Sequence, residues 1–147
     1  MITIEPFKIE YLDQLYSVET DSFSIPWSKS DIEKDATQNK MSIYLVALED
    51  NQVIGYAAMW HVVNEGHITN IAVSPNHRQK GIGTLLVNAL INIAKEKEMI
   101  GLTLEVNINN TNAQKLYTKL GFKPEGIRKE YYKDTKEDAV IMWKYLN

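Results

Sequence analysis

The sequence predicts a mixed α/β fold, a single domain over residues 1–147 in which helices cover the faces of one mixed (α+β) sheet. Three observations carry that reading. The chain is long enough to bury a core, with 44% hydrophobic and 24% charged residues, the balance of an ordinary globular domain. Two strand-like runs flank Glu49-Asp50-Asn51-Gln52 and read as a hairpin. Further on, a β-branched run ends in a glycine-bearing loop, an amphipathic helix follows, and a second apolar run closes the unit. Such a strand–helix–strand crossover places its two strands parallel.

The elements follow in order. Residues 1–5 alternate apolar and polar and predict a short strand. Ile9, Leu12, Leu15, Tyr16 and Val18 give an imperfect helical stripe to about Thr20. Residues 21–28 form a loop centred on Pro26, and Ser28 is placed to cap a short second helix, with Asp31 three residues on. Strands are expected over 42–48, 53–61 and 65–73. The next helix carries Ile82, Leu85, Leu86, Ala89, Leu90, Ile93 and Ala94 on one stripe. A strand over 101–106 puts Leu102, Leu104 and Val106 on one face and Thr103 and Glu105 on the other. Asn109-Asn110-Thr111-Asn112 is capping chemistry for a helix that runs to Leu120 and closes at Gly121. Residues 122–127 and 139–146 read as final strands, with Tyr131-Tyr132-Lys133-Asp134 in the connection. The order is β-α-α-β-β-β-α-β-α-β-β.

Composition narrows function. Sixteen basic against nineteen acidic residues leave a net charge of −3, against a nucleic-acid binder that relies on a broad basic face. The absence of cysteine excludes disulfides, thiolate metal sites and an acyl-cysteine intermediate. His61, His67 and His77 lack metal-ligand spacing, so no metal is expected. The longest apolar-rich run, 53–63, is too short to span a membrane, and no signal-peptide pattern opens the chain. The expectation is a soluble cytoplasmic protein that binds neither membrane nor nucleic acid.

The loop Arg78-Gln79-Lys80-Gly81-Ile82-Gly83 sits at a helix start. There the first N–H groups lack partners at the positive end of the helix dipole. Glycine lets a ligand approach the backbone closely. The site suits a phosphate or pyrophosphate, and Arg78 and Lys80 add charge. No Gly-Lys-Ser/Thr follows, and the third glycine of a dinucleotide fingerprint is replaced by Leu86, so neither of those motifs applies.

Two residues stand out as acid–base candidates. Glu105 is a lone acid in the strand LTLEV, either at an edge position or ion-paired, or placed to take a proton from an attacking amine, directly or through water. Tyr117 shares a helix face with Ala113, Leu116 and Leu120, either as a core residue or as a phenol that donates to a leaving thiolate.

Together, the R-x-x-G-x-G run from Arg78 to Gly83 and the N-x-x-A-x-x-L-Y-x-x-x-G-F run from Asn110 to Phe122 resemble the GNAT acetyltransferases. The resemblance spans nearly the whole chain and implies the GNAT acyl-CoA N-acyltransferase fold. Pro26-Trp27-Ser28, Ile127-Arg128, Tyr131-Tyr132 and Glu137-Asp138-Ala139 resemble the RimI-like branch in particular. Its members acetylate the N-terminal alanine of the eighteenth protein of the small ribosomal subunit. What the resemblance implies is acetyl-CoA as co-substrate and a protein N-terminus as partner; the absence of cysteine predicts direct attack in a ternary complex. It implies Glu105 as proton acceptor and Tyr117 as proton donor. Acetyl-CoA contacts would come from the backbone of Ile71, Ala72 and Val73, from Arg78, Gln79, Lys80, Gly81, Ile82 and Gly83, and from Asn110. Trp27 and Tyr132 would line the peptide entrance. One position departs from the branch: Asn107 stands where its members commonly have Arg.

Energetics favour an α-amine over lysine. An α-amine titrates near 7.7–8.0 and lysine near 10.4, so deprotonating lysine costs about 3.4 kcal/mol more. A lysine or small-amine acetyltransferase and a non-catalytic acyl-CoA-binding module are the alternatives.

Overall fold

A computed structural model of the chain describes residues 1–146. Seven strands form one sheet: β1 (Ile2–Pro6), β2 (Ser42–Glu49), β3 (Gln52–Val62), β4 (Glu65–Val73), β5 (Gly101–Asn107), β6 (Lys123–Tyr132) and β7 (Glu137–Tyr145). Four α-helices accompany them: α1 (Leu12–Ser22), α2 (Lys29–Gln38), α3 (Ile82–Glu96) and α4 (Thr111–Lys119). The strand order is β1-β2-β3-β4-β5-β7-β6, and every neighbouring pair is antiparallel except β4 with β5. The mixed sheet and the crossover through α3 are those that the sequence predicts.

Hydrophobic periodicity decides which helix covers which face. Leu86, Leu90, Ile91 and Ala94 of α3 pack with Ala57, Met59, Leu102 and Leu104, and Tyr117 of α4 joins the same cluster. Leu12, Leu15 and Val18 of α1 and Ile32 of α2 pack with Tyr44, Val46 and Tyr56 on the opposite face. Local chemistry sets the boundaries. Asp50 and Asn51 take positive φ, 52° and 67°, the geometry of a two-residue hairpin turn. The Ser28 hydroxyl accepts from the Asp31 N–H at 3.1 Å and starts α2.

Three expectations are corrected. Leu85 is 44% exposed, whereas Val87 and Ile91 are buried. The buried stripe of α3 is therefore rotated toward the sheet, because Leu86 and Leu90 point straight at it. Ile9 lies in a short 3-10 turn before α1 and is exposed. Tyr131 and Tyr132 belong to β6 rather than to a connection, since Tyr132 pairs with Glu137 across a hairpin.

Two irregularities position the site. The parallel ladder holds only Glu65 with Gly101, Gly66 with Leu102 and His67 with Thr103. Beyond it β4 stays paired with β3 as far as Val73, and β5 with β7 as far as Asn107, so the two halves of the sheet part. Alternate backbone groups of the later part of β4 are left facing that gap. The second irregularity is a bulge at Thr69: Met59 pairs with Ile68 but Ala58 with Asn70. Ile68 faces the α3 side, and after the bulge Ile71 and Val73 do so too, while Ala72 joins the α1–α2 side.

Asp35 ties α2 to the sheet. Its carboxylate accepts from the Tyr44 hydroxyl at 2.6 Å, the Asn39 amide at 2.9 Å and the Trp60 indole at 3.1 Å. Burial alone would raise its pKa, but the hydrogen bonds from Tyr44, Asn39 and Trp60 outweigh burial and hold it below the usual 3.8. A depressed carboxylate stabilises the fold above its unfolded pKa and loses that contribution as pH falls through the folded one. Urea denaturation between pH 5 and pH 2.5, an interval bracketing the ordinary Asp value of about 3.9, should therefore show a smaller loss of stability in Asp35→Asn than in wild type. Equal losses would mean that Asp35 makes no ionised anchor.

Candidate active site

The first part of the site is the start of α3. Gly81 caps the helix at φ 77° with no side-chain hydrogen bond, and the first helical bond runs from the Leu85 N–H to the Gly81 carbonyl. The N–H groups of Ile82, Gly83 and Thr84 precede that bond and so lack partners within the helix. Gln79 also takes positive φ, 65°, so the loop curls and exposes its amides. The Arg78 Nε donates to the Val73 carbonyl at 3.1 Å, tying the loop to the end of β4. This contact occupies one of the backbone groups that the sequence assigns to acetyl-CoA. His77 Nε2 lies 3.2 Å from Glu49 Oε1 and fastens the preceding turn to the β2–β3 hairpin. A Cβ at Gly83 would meet only Leu116 Cδ2, at 3.4 Å, an ordinary contact. Packing therefore tolerates a small side chain there, and the reason for glycine lies on the open side.

The second part lies where β4 and β5 part. Glu105 sits on central β5, not at an edge, and its side chain is 8% exposed. His67 Nε2 lies 3.2 and 3.1 Å from its two carboxylate oxygens, and the Tyr131 hydroxyl donates to Oε1 at 3.2 Å. The His67 hydrogen bond is the main cause that holds the Glu105 carboxyl below its usual 4.5, against burial; the His67 charge, Tyr131 and Arg128 add to it. Pairing with His67 thus leaves the carboxylate ionised. The Trp60 ring stands edge-on to His67 at 6.4 Å.

Tyr117 is buried and packs against Phe122 with ring centres 5.7 Å apart. Burial, and secondarily Tyr132, raise its pKa, so it is a neutral phenol at any working pH. Tyr132 stands perpendicular to Tyr131 at 5.1 Å, and burial, then Tyr131, push its pKa up to about 12. One continuous group thus runs from Trp60 and His67 through Glu105 and Tyr131 to Tyr132, while Tyr117 lies in the core cluster under α3. Trp27 stands apart. No hydrogen bond or ring contact among the described residues ties it to Glu105; it lines an open groove of about 660 Å³ with Pro26, Asp31 and Asp35. The Asn110 side chain accepts from the Ala113 N–H at 3.1 Å and caps α4, so its oxygen is already engaged. Asn107 donates to Glu137 at 3.0 Å and joins β5 to the start of β7. Sequence reasoning missed His67 and the contact of Tyr131 with Glu105. The only available signal for His67 was a histidine in a β-branched strand entering the glycine loop.

A parted parallel pair, a helix start with free amides and a carboxylate near the parting are parts that an acyl-CoA-dependent transferase needs, and the comparisons assign that class. The Acetyltransferase (GNAT) family model matches residues 12–122, and the chain belongs to that family. A Haemophilus influenzae relative named ribosomal protein bS18-alanine N-acetyltransferase is 36% identical over 91% of this chain and 92% of its own length. A Bacillus subtilis relative that provisionally carries the same name is 39% identical over 98% of this chain and 95% of its own. The crystal structure of the Escherichia coli ribosomal-protein-S18-alanine N-acetyltransferase superposes with a TM-score of 0.92 at 30% identity, covering 100% of this chain and 95% of that one.

The protein is thus an acetyl-CoA-dependent N-acetyltransferase. Its residues fit that co-substrate: uncapped amides for the pyrophosphate, an open side at Gly83, and unpaired β4 backbone along the gap. Gly83→Val should fill the open side and weaken acetyl-CoA binding at least tenfold in calorimetry while the variant stays folded. Unchanged affinity would remove the loop from the binding site.

Proposed function

We propose that this protein acetylates the N-terminal α-amine of a protein, namely the N-terminal alanine of ribosomal protein bS18, and that residues 1–147 act as one domain in the cytoplasm. The names of the bacterial relatives support the substrate. The observation that carries the reaction is the His67–Glu105 pair at the point where β4 leaves β5.

Acetyl-CoA, when bound, supplies the thioester carbonyl that the amine attacks. The backbone at Ile71, Ala72 and Val73, the loop Arg78–Gly83 and Asn110 are its proposed contacts. Trp27 and Tyr132 are the proposed acceptor contacts.

An ammonium has no lone pair, so the acceptor must lose a proton. Glu105 is ionised at neutral pH, but its lowered pKa makes it a weak base. Direct transfer from an amine of pKa near 7.7 crosses more than three pH units, over about 4 kcal/mol. That is tolerable within the roughly 16 kcal/mol barrier of an enzyme turning over about ten times per second. His67 offers a second acceptor beside the carboxylate. With Nε2–H directed at Glu105, its Nδ1 is free to accept, and the carboxylate stabilises the resulting imidazolium. Tyr117, held neutral by burial, donates toward the leaving sulfur. A thiol titrates near 8.5, so this phenol is the weaker acid and acts through hydrogen bonding or late transfer.

Three measurements test the reading. An alanine-starting peptide should release thiol from acetyl-CoA, whereas a matched N-blocked peptide containing lysine should not; the reverse preference would make the protein a lysine acetyltransferase. Glu105→Gln should lower kcat/KM roughly 10²–10⁴-fold at neutral pH. That deficit should narrow at high pH, where free amine is abundant, and superimposable pH profiles would make Glu105 purely structural. Tyr117→Phe should lower kcat and leave acetyl-CoA affinity nearly unchanged, because the ring still fills its place. A fully active phenylalanine variant would make Tyr117 a core residue only.

A further inference from the structure

Glu19 is a carboxylate that the reaction does not use. It sits in the last turn of α1 and is 1% exposed. The Tyr56 hydroxyl donates to Oε1 at 2.6 Å, and the Trp27 backbone N–H donates to Oε2 at 3.0 Å. Among the described residues no cation pairs with it. A carboxylate buried in this way is costly, and apolar residues of similar volume would pack there at least as well. What it supplies is an acceptor for one N–H in the middle of an irregular loop.

That loop joins α1 to α2 and carries three exposed apolar side chains: Phe23 at 39%, Ile25 at 67% and Trp27 at 37%. α1 and α2 lie on the sheet face that Tyr56 helps to form. His67 and Glu105 present their side chains to the same face: Trp60 meets both His67 and Asp35 of α2, and Glu105 alternates with the Leu104 and Val106 of the other face. The Glu19 carboxylate thus holds the Trp27 backbone over the sheet face that carries His67 and Glu105.

We propose that Glu19 is a positioning residue for the acceptor: through the Trp27 N–H it fixes the loop 23–28 and so sets the affinity for the incoming N-terminus, with no part in acetyl-CoA binding. This rests on the assignment of Trp27 to the acceptor side.

The experiment separates loop positioning from general stability. Tyr56→Phe keeps the bond between Glu19 and Trp27, so it should lower stability and leave the KM for an alanine-starting peptide unchanged. The double variant Glu19→Met with Tyr56→Phe removes the buried charge together with its donor, so stability should be regained. It leaves the Trp27 N–H without its acceptor, so the peptide KM should rise about tenfold with the KM for acetyl-CoA unchanged, and amides of residues 23–28 should exchange faster with deuterium. Glu19→Leu with Tyr56→Phe, which removes the same acceptor with a different packing, reads the same peptide KM if the first double variant does not fold. A peptide KM that follows stability across these variants, or an equal rise in the KM for acetyl-CoA, overturns the proposal. Trp27→Ala provides the control: an unchanged peptide KM overturns the acceptor-side assignment and the proposal with it. A raised KM alongside inert Glu19 variants overturns the proposal alone.

Discussion

The active site depends on a ladder that stops early. β4 and β5 exchange parallel hydrogen bonds at only three residue pairs, ending at His67 and Thr103, while each remains held by its antiparallel partner on the other side. Strands held in this way must diverge, and divergence within a sheet exposes backbone groups that would otherwise be paired. A ligand with its own amides, such as the pantetheine arm of acetyl-CoA, can complete that broken ladder. α3 follows β4 in the chain and α4 follows β5, so both helices start from the strand ends at this opening. Glu105 and His67 stand beside it.

The electrostatics of the opening follow from placement. Glu105 would be a poor guest on a central strand by itself, since burial raises the cost of its charge. His67 and Tyr131 reverse that balance, and the carboxylate stays ionised. Stabilising the charge also weakens the carboxylate as a base. The tyrosines run the other way. Burial raises Tyr117 and Tyr132 and keeps both as neutral phenols.

Much of this was legible in the sequence because it is local. Hydrophobic period and turn chemistry gave the element order, the type of each element and the cap at Ser28. The glycines of the loop announced the helix start, and alternation in LTLEV put Glu105 on the face away from the core leucines. What escaped was long-range. His67 and Glu105 lie 38 residues apart, and their meeting depends on which strands pair and in what register. The bulge at Thr69 changes the faces of β4 without any glycine or proline to mark it. Tyr131 and Tyr132 were placed in a connection because the exposed, charged β6 lacks alternation; its pairing with β7 makes it a strand. The buried stripe of α3 runs through Val87 and Ile91 because contact with the sheet, not periodicity alone, decides which apolar residues are covered.

The central claim is that the reacting thioester lies in the parting of β4 and β5, facing the pair of Glu105 and His67. A crystal structure with a conjugate of coenzyme A joined through an acetyl bridge to the amine of an alanine-starting peptide tests it most directly. The account predicts the bridge between the two strands, its pyrophosphate at the start of α3, and the alanine nitrogen within hydrogen-bond reach of the pair, directly or through one water. A conjugate whose alanine nitrogen lies on the α3–α4 side of the sheet, out of reach of both residues, would contradict it.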